Sequence, residues 1–220
     1  MIESDPPRAP AVAERIAEAL IERIVAGELA PGAPLRQDHV AAEFGASHVP
    51  AREALHFVRA QGLAVSEPRR GIRVAPMDAI HQQEVIEMRA ALELLAFRHV
   101  GKAYGARHLA AIEQAVEAGE RAGSIVEWER ANRAFHAALV APCPMKWLLS
   151  LLGQLRLAHS RIVIAMERSA GWQPRSNLEH RQIHAALKSR DHPRATHLLT
   201  RHLHGIERPG PEAGPDALRP

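Results

Sequence analysis

The residues best suited to chemistry lie in the second half of the chain, at helical spacings. Asn132 and His136 are four positions apart, so both side chains leave the same face of a helix. His180 and His202 lie equally far from Asp191, which begins a turn-like Asp-His-Pro sequence. Two antiparallel helices joined at that turn would bring these imidazoles level with each other. A carboxamide and three imidazoles on inward faces of neighbouring helices have the ligand chemistry of a divalent transition-metal site.

Two alternatives stay open for these polar residues. His184 lies one turn beyond His180 and would sit level with Leu198, so the hairpin geometry favours His180 as the ligand. A polar, water-filled pocket without a metal would also use the same side chains. Arg89 and Glu93 are four apart, and they form either a helix-surface pair worth a few tenths of a kcal/mol or an anchor for an anionic effector.

The composition of the chain limits the classes of protein to which it can belong. A chain of 220 residues is long enough for two small domains with separate cores. Its single cysteine, Cys143, excludes an internal disulfide and a paired-cysteine zinc motif. Residues 1–10 are not typical of a signal peptide, and no apolar run approaches the roughly 20 residues that span a bilayer. We therefore expect a cytoplasmic protein with no membrane association.

The distribution of charge permits a nucleic-acid partner. The formal net charge is +3 and the pI is about 9.6. Within residues 47–75, several arginines face only two acids, Glu53 and Glu67. The arginines are Arg52, Arg59, Arg69, Arg70 and Arg73. Such a local excess of positive charge is what DNA phosphates attract.

The residue pattern in the first third of the chain predicts three helices and a hairpin. Helical periodicity covers 11–26 and 36–44, and a third helix begins at Ser47 as a hydroxyl N-cap and ends near Gln61. The period then becomes alternating, with Leu63 and Val65 before a turn at 68–71 and Ile72 and Val74 after it. Three helices followed by a basic-tipped hairpin predict a winged helix-turn-helix DNA-binding domain at 11–75.

The rest of the chain shows only helical periods. The predicted helices are 78–103, 106–122, 124–141, 145–168, 174–190 and 193–206. Together they predict an all-α antiparallel bundle at 78–206. Residues 207–220 are rich in Pro and Gly and are expected to form a disordered tail. The predicted fold class is thus mostly α, with a winged helix-turn-helix followed by a helical bundle.

The segment from Ile16 to Ala75 resembles the DNA-binding domain of the GntR family. The matching positions are Gly27, Leu29, Pro31-Gly32, Leu35 to Asp38, Ala41, Gly45, Ser47, Pro50, Arg52 to Leu55, Gly62-Leu63 and Arg69 to Gly71. The resemblance implies that Arg52 projects from the recognition helix to DNA and that Arg70 and Gly71 form the wing tip. His48 stands where the family usually has arginine, and it implies a different operator or a weaker phosphate contact.

The full set of DNA-binding residues that we expect is Arg36, Ser47, His48, Arg52, Arg69, Arg70 and Gly71. A guanidinium offers two donors that match the two acceptors of guanine. For Arg59 and Arg73, solvated surface and DNA contact are equally good interpretations.

Residues 78–206 resemble the FCD effector domain of FadR-type GntR regulators, in its shorter six-helix form. The resemblance rests on Arg89, Leu92-Glu93, Asn132, Phe135-His136, Glu179-His180 and His202-Leu203. It implies a metal site at Asn132, His136, His180 and His202, with zinc, nickel or manganese as the ion. Asn132 in place of an aspartate implies a lower metal affinity, and an effector carboxylate or water would complete the coordination.

These observations predict a homodimeric transcription regulator, more often a repressor in this family, on a palindromic double-stranded DNA operator. The expected effector is a small organic acid bound at the metal, with Arg89 as a second anchor. One alternative is a regulator that senses the metal ion itself. A histidine-ligated metalloenzyme is disfavoured, because no positioned general base is evident and residues 11–75 would have no purpose. We therefore do not expect an enzyme.

Overall fold

The computed structural model describes residues 11–101, 103–170 and 176–205, without the side chains of 167–170. The elements in chain order are α1 (Val12–Val25), α2 (Gln37–Glu43), α3 (His48–Ala60), β1 (Ala64–Glu67), β2 (Gly71–Val74), α4 (Ala79–Val100), α5 (Ala106–Arg121), α6 (Ile125–Val140), α7 (Lys146–Ala170), α8 (Asn177–Lys188) and α9 (His192–Gly205). The fold is mostly α, with a winged helix-turn-helix before a helical bundle, as the sequence predicts. The proposed disordered tail lies outside the described residues.

The winged helix-turn-helix is built by α1, α2, α3 and the β1–β2 hairpin. Ile16, Leu20 and Ile24 recur every fourth residue of α1, and all three are buried against α3. Between α2 and α3 the chain turns at Gly45, whose φ of 58° lies in the left-handed region that glycine adopts without strain. The side chain of Gln37 donates to the backbone carbonyl of His48 at 3.0 Å and fixes α2 against the start of α3.

The hairpin differs by one residue from the predicted alternation. Ala64 pairs with Val74 and both are buried, whereas Val65 pairs with Arg73 and is 37% exposed. The backbone N–H of Leu63 still donates to Val58 at the end of α3, so the strand alternation begins only after it. Leu63 and Val65, the two apolar positions of the predicted alternation before the turn, therefore do not share the buried face.

The helical bundle consists of α4 to α9. Where a predicted helix end falls on a described residue, the observed end lies within about three residues of it. Its core contains large apolar side chains from every helix, among them Phe97, Ile112, Phe135, Leu152, Ile183 and Leu199. The turn between α8 and α9 is closed by the Asp191 carboxylate, which accepts from the backbone N–H of Arg194 at 3.1 Å. This cap sets the helical hairpin that the sequence predicts.

The longest helix, α7, connects the two halves of the molecule. Its segment Lys146–Met166 is long and apolar enough to cross a membrane by length and composition, contrary to the sequence expectation, but 44% of that segment is buried inside the protein. Ile164 packs into the core of the winged helix-turn-helix. The buried Arg161 donates through Nη2 to the carbonyl of Ala75 at 2.8 Å, just beyond β2. Through these contacts α7 packs against the winged helix-turn-helix.

A second connection joins α1 to α6. Glu22 accepts from Arg133 at 2.7 Å and from Arg130 at 3.3 Å. Burial raises the pKa of Glu22, but the hydrogen bonds and charges of the two arginines outweigh it and hold that pKa below its ordinary value. Since α6 also carries Asn132 and His136, the histidine-bearing helix contacts the DNA-binding half directly.

Candidate metal centre and DNA-binding surface

Three imidazoles converge inside the helical bundle. The Nε2 atom of His202 lies 3.2 Å from Nε2 of His136 and 3.2 Å from Nε2 of His180. All three residues are buried, and their nitrogen atoms lie within 4.8 Å of one another. They come from α6, α8 and α9, so the fold brings together three of the four residues that the sequence singled out.

Carboxylates orient two of these rings. Glu93 on α4 lies 2.5 Å from His136 Nδ1, and Glu179 on α8 lies 2.8 Å from His202 Nδ1. Because a carboxylate accepts a hydrogen bond, each Nδ1 carries the proton and each Nε2 presents its lone pair to the centre. A carboxylate behind a histidine ligand also raises the basicity of that ligand.

Aromatic packing holds the third ring. His180 stacks on Phe135 with ring centroids 4.0 Å apart, and Trp128 lies on it at 6.5 Å with an interplanar angle of 10°. Trp128 is itself fixed, since its Nε1 donates to Asn177 Oδ1 at 2.8 Å. The His180 ring is therefore positioned before any ligand binds.

Burial keeps two of these imidazoles, those of His136 and His180, neutral. It holds the pKa of His136 and His180 well below the ordinary value of 6.5, and the charges of neighbouring histidines and Arg89 act in the same direction. Metal ligation needs the neutral form of histidine. The electrostatic environment thus favours the protonation state that a metal site requires.

The donor set fits a transition metal. Bonds of about 2.0–2.1 Å at tetrahedral angles place neighbouring ligand nitrogens roughly 3.3 Å apart, close to the two 3.2 Å separations observed. Asn132, the fourth predicted ligand, is buried one turn before His136 on α6. Its Nδ2 donates to Glu129 Oε2 at 2.8 Å, which leaves Oδ1 as the oxygen available to a ligand.

His184 does not join the three imidazoles. It is 7% exposed, and its Nε2 has no hydrogen-bond partner among the residues that the structure describes. The group formed by His136, His180 and His202 excludes it. This placement agrees with the preference for His180 that the hairpin geometry gave.

Arg89 and Glu93 are buried, with 2% and 0% exposure. The interpretation as a helix-surface pair is therefore wrong. Their closest charged atoms lie 3.4 Å apart without hydrogen-bond alignment. The Nη1 atom of Arg89 lies 3.2 Å from both ring nitrogens of His159 on α7.

The sequence reasoning missed the polar groups on α7 and on the first half of α6. Ser160 donates to Glu129 Oε1 at 2.6 Å, and burial raises the pKa of Glu129 despite the bonds that lower it. Arg156, His159 and Ser160 lie at spacings of three and four in an otherwise apolar segment. Those spacings place them on one helix face, and that pattern was the available signal.

The predicted DNA-binding residues lie on two exposed parts of the winged helix-turn-helix. Ser47, His48 and Arg52 are exposed at the start and first turns of α3. Ser47 occupies the N-cap position, but its side chain makes no capping hydrogen bond, so the predicted hydroxyl cap was wrong. Without that bond, the hydroxyl is free to contact a ligand.

The other predicted residues lie at the wing tip and before α2. Arg69 and Arg70 are exposed in the turn, where Arg69 has a φ of 64° and Gly71 a φ of 75°. Arg70 pairs with Glu67 at 3.1 Å. Arg36 is the N-cap residue of α2, one position before the helix that was predicted to include it, and pairs with Asp38 at 3.1 Å.

Arg73 and Arg59 differ in their burial and in their contacts. Arg73 is partly buried and donates through Nη1 to the carbonyl of Gly32 at 2.7 Å, so it fastens the wing to the turn before α2. Arg59 is exposed in the last turn of α3. The bond to Gly32 gives Arg73 a structural role in addition to the two interpretations offered for it.

A winged helix-turn-helix with exposed arginines, joined to a helical bundle that contains a buried cluster of three histidines, has the architecture of a transcription regulator. The family model for bacterial regulatory proteins of the gntR family matches residues 12–74, and the FCD domain model matches residues 84–205. The chain belongs to the GntR family and carries an FCD domain.

Relatives agree with this assignment. The HTH-type transcriptional regulator BphR of Paraburkholderia xenovorans is 31% identical over 82% of this chain and 77% of its own. The HTH-type transcriptional repressor GlaR of Escherichia coli is 29% identical over 82% of this chain and 87% of its own. The structure of E. coli McbR/YncC superposes with a TM-score of 0.78 at 21% identity, covering 90% of this chain and 96% of that one.

These comparisons fix the class of activity. The family and its named members are transcription regulators and not enzymes, with repressors among the homologues. GntR regulators bind operator DNA. The metalloenzyme alternative is thereby set aside.

Proposed function

We propose that this protein is a homodimeric repressor whose affinity for a palindromic operator is controlled by a small organic acid bound at a metal in the helical domain. Residues 11–75 bind DNA, residues 78–206 hold the metal and effector, and the protein acts in the bacterial cytoplasm. The observation that carries the proposal is the convergence of three buried Nε2 atoms, two of them at 3.2 Å from His202.

The metal is held by His136, His180 and His202, with Asn132 Oδ1 as the fourth ligand. Zinc, nickel and manganese all suit a site of imidazole and carboxamide donors. When bound, the ion supplies positive charge and open coordination positions for an effector oxygen. Arg89 provides the second, cationic anchor for the same anion.

On DNA, α3 enters the major groove and the wing contacts the neighbouring backbone or minor groove. Arg52 reads a base edge, and Arg70 with Gly71 approaches the DNA at the wing tip. Ser47, His48, Arg36 and Arg69 contact phosphates around them. One winged helix covers too few base pairs for genomic specificity, so two copies related by a two-fold axis are needed.

Exposed apolar residues on the helical domain support self-association. Trp147 is 92% exposed and Leu151 is 45% exposed, one turn apart on α7. On the adjacent α4, Met88 is 46% exposed. Neighbouring exposed apolar side chains such as Trp147 and Leu151 are typical of an interface between subunits. Light scattering at micromolar concentration should give twice the chain mass of 24.1 kDa, and a monomer that also binds operator singly would contradict the dimer.

The effector acts by binding one arrangement of the dimer more tightly than another. Two contacts can carry this difference to the DNA-binding half. Arg161 on α7 bonds to Ala75, and Arg133 on α6 pairs with Glu22. Both α6 and α7 also line the proposed ligand site.

Operator binding measured on the purified protein tests the proposal. An operator is first selected from a random duplex pool, and its affinity is then measured by fluorescence anisotropy with metal-free protein, metal alone, and metal plus a panel of organic acids. We expect one acid to change the affinity of the wild type but not of His136→Ala, which still binds the operator. A change with metal alone would support the alternative regulator that senses the ion. No specific operator at all would contradict the proposed function.

A further inference from the structure

Val49 is an exposed apolar residue in the first turn of α3. It lies two positions beyond the N-cap residue Ser47 and is 54% exposed. The buried residues of α3 are Ala51, Ala54, Leu55 and Val58. At 3.6 residues per turn, these residues occupy the side of the helix opposite Val49. The valine side chain therefore points away from the domain core and toward solvent.

Neither helix propensity nor packing within the chain accounts for a valine at this position. Its branched Cβ makes valine a poorer helix former than alanine or glutamate. The first turn of a helix favours acidic side chains, because they interact with the helix dipole. Among the described residues, the core of the winged helix-turn-helix does not include Val49. A contact with a bound partner supplies the missing reason for an apolar group here.

The backbone that carries Val49 is held in place. On one side, the carbonyl of His48 accepts from Gln37 at 3.0 Å. On the other side, Pro50 has a fixed φ, and Ala51 is fully buried. A valine in a helix also has one strongly preferred rotamer. The two methyl groups are thus positioned before a partner binds, and little conformational entropy is lost in making the contact.

The residues that share the exposed face of α3 with Val49 are polar. Arg52, Glu53 and His56 follow it at spacings of three, four and seven, and all three are exposed. The first turn of α3 contains no acidic residue that would repel phosphates. In the major groove, base pairs present hydrogen-bond donors and acceptors, and the apolar feature is the C5-methyl group of thymine. That methyl group is the part of DNA that an exposed valine on this face fits.

We propose that Val49 contacts the C5-methyl group of one thymine in each operator half-site and selects thymine over cytosine there. The Cα–Cβ bond of Val49 tilts toward the N-terminus of α3, and the N-terminal residues of a recognition helix contact base edges. Residues three apart on a helix have Cβ atoms about 5–6 Å apart, or one to two base-pair steps. The selected thymine therefore lies within about two base pairs of the base that Arg52 contacts. This inference rests on the proposed function, because α3 must be the recognition helix, but it needs neither metal nor effector.

Replacing thymine by uracil tests the contact, since the substitution removes only the C5-methyl group. An operator is selected from a random duplex pool with the full-length protein. Each thymine of the half-site is then replaced by deoxyuridine in both half-sites, and affinity is measured by fluorescence anisotropy. We expect one replacement to weaken wild-type binding about 3- to 5-fold per half-site, the effect of one buried methyl group. Val49→Ala should bind the thymine and uracil operators with equal affinity.

The control is Val12→Ala, the same change at another exposed valine of the same domain, which should keep the wild-type preference for thymine. Val49→Ala should melt at the wild-type temperature, because the side chain lies outside the core. A structural role for Val49 would instead lower the melting temperature and weaken binding to both operators equally, and that result would overturn the inference.

The inference is also overturned if no uracil replacement weakens wild-type binding, or if Val49→Ala keeps the preference for thymine. Failure to select any operator contradicts both this inference and the proposed function. Operator binding that responds to no metal or organic acid contradicts the proposed function alone, and the uracil comparison still judges Val49.

Discussion

His136 Nδ1 and Glu93 Oε1 lie 2.5 Å apart, and this contact joins α4 to the histidine-bearing face of α6. Glu93 is fully buried, and its second oxygen faces Arg89 at 3.4 Å. The same carboxylate thus contacts a proposed metal ligand and neighbours the proposed effector anchor. In the proposed function, this contact makes metal binding and anion binding parts of one site.

Replacing the carboxyl group of Glu93 by an amide should weaken metal binding. We expect Glu93→Gln to reduce zinc affinity about 10- to 100-fold, because a neutral amide orients His136 less strongly and raises its basicity less. Competition with a chromophoric chelator measures the affinity. Glu84→Gln, an exposed change on the same helix, serves as the control. Equal zinc affinity in all three proteins would remove Glu93 from this role.

The Glu22 link between α1 and α6 should depend on pH. The pKa of Glu22 in the folded protein lies below its ordinary value of 4.5, so the link stabilises the protein above about pH 4.5 and is lost as the pH falls through the folded value. Glu22→Gln should melt below the wild type at pH 6, and the gap should close under acid conditions. Glu18→Gln, an exposed change on α1, should show no such gap. A Glu22→Gln gap that is absent at pH 6, or constant with pH, would disprove the link.

Sequence-specific DNA binding should depend on Arg52. Arg52→Ala should cost about 1–3 kcal/mol at the selected operator and relax the preference at one base position. Arg70→Ala should weaken binding as well. Arg121→Ala, which changes an exposed arginine on α5 of the helical domain, serves as the control and should bind the operator like the wild type. If the Arg52 variant discriminates operator from random duplex as well as the wild type does, Arg52 has no readout role.

Much of the fold was predictable because local patterns and tertiary packing agree. Helical periodicity located α4 to α9, and the equal distances from Asp191 correctly placed His180 opposite His202. The strand alternation failed at Val65 because Leu63 still belongs to the turn that ends α3, and no local pattern marks that boundary. Strand registers depend on such single-residue offsets.

The polar surroundings of the site were harder to predict. Glu93 contacts His136 across 43 residues of sequence, and Arg89 contacts His159 across 70. The spacing between Arg89 and Glu93 suggested only their mutual pairing, which is a local relationship. Contacts between helices depend on the packing of the whole bundle, which periodicity within one helix does not specify. The exposed positions of Arg52 and Arg70, in contrast, follow from the helix and turn that carry them.

The metal content of purified protein, loaded with zinc and dialysed, tests the central claim most directly. If His136, His180 and His202 hold one ion, wild type and His184→Ala should each retain about one zinc per chain by elemental analysis, whereas His180→Ala should retain far less. His184 is the matched control, since it is a buried histidine on α8 that stands outside the group. Wild type that cannot be loaded, or zinc lost from His184→Ala and kept by His180→Ala, would contradict the metal centre.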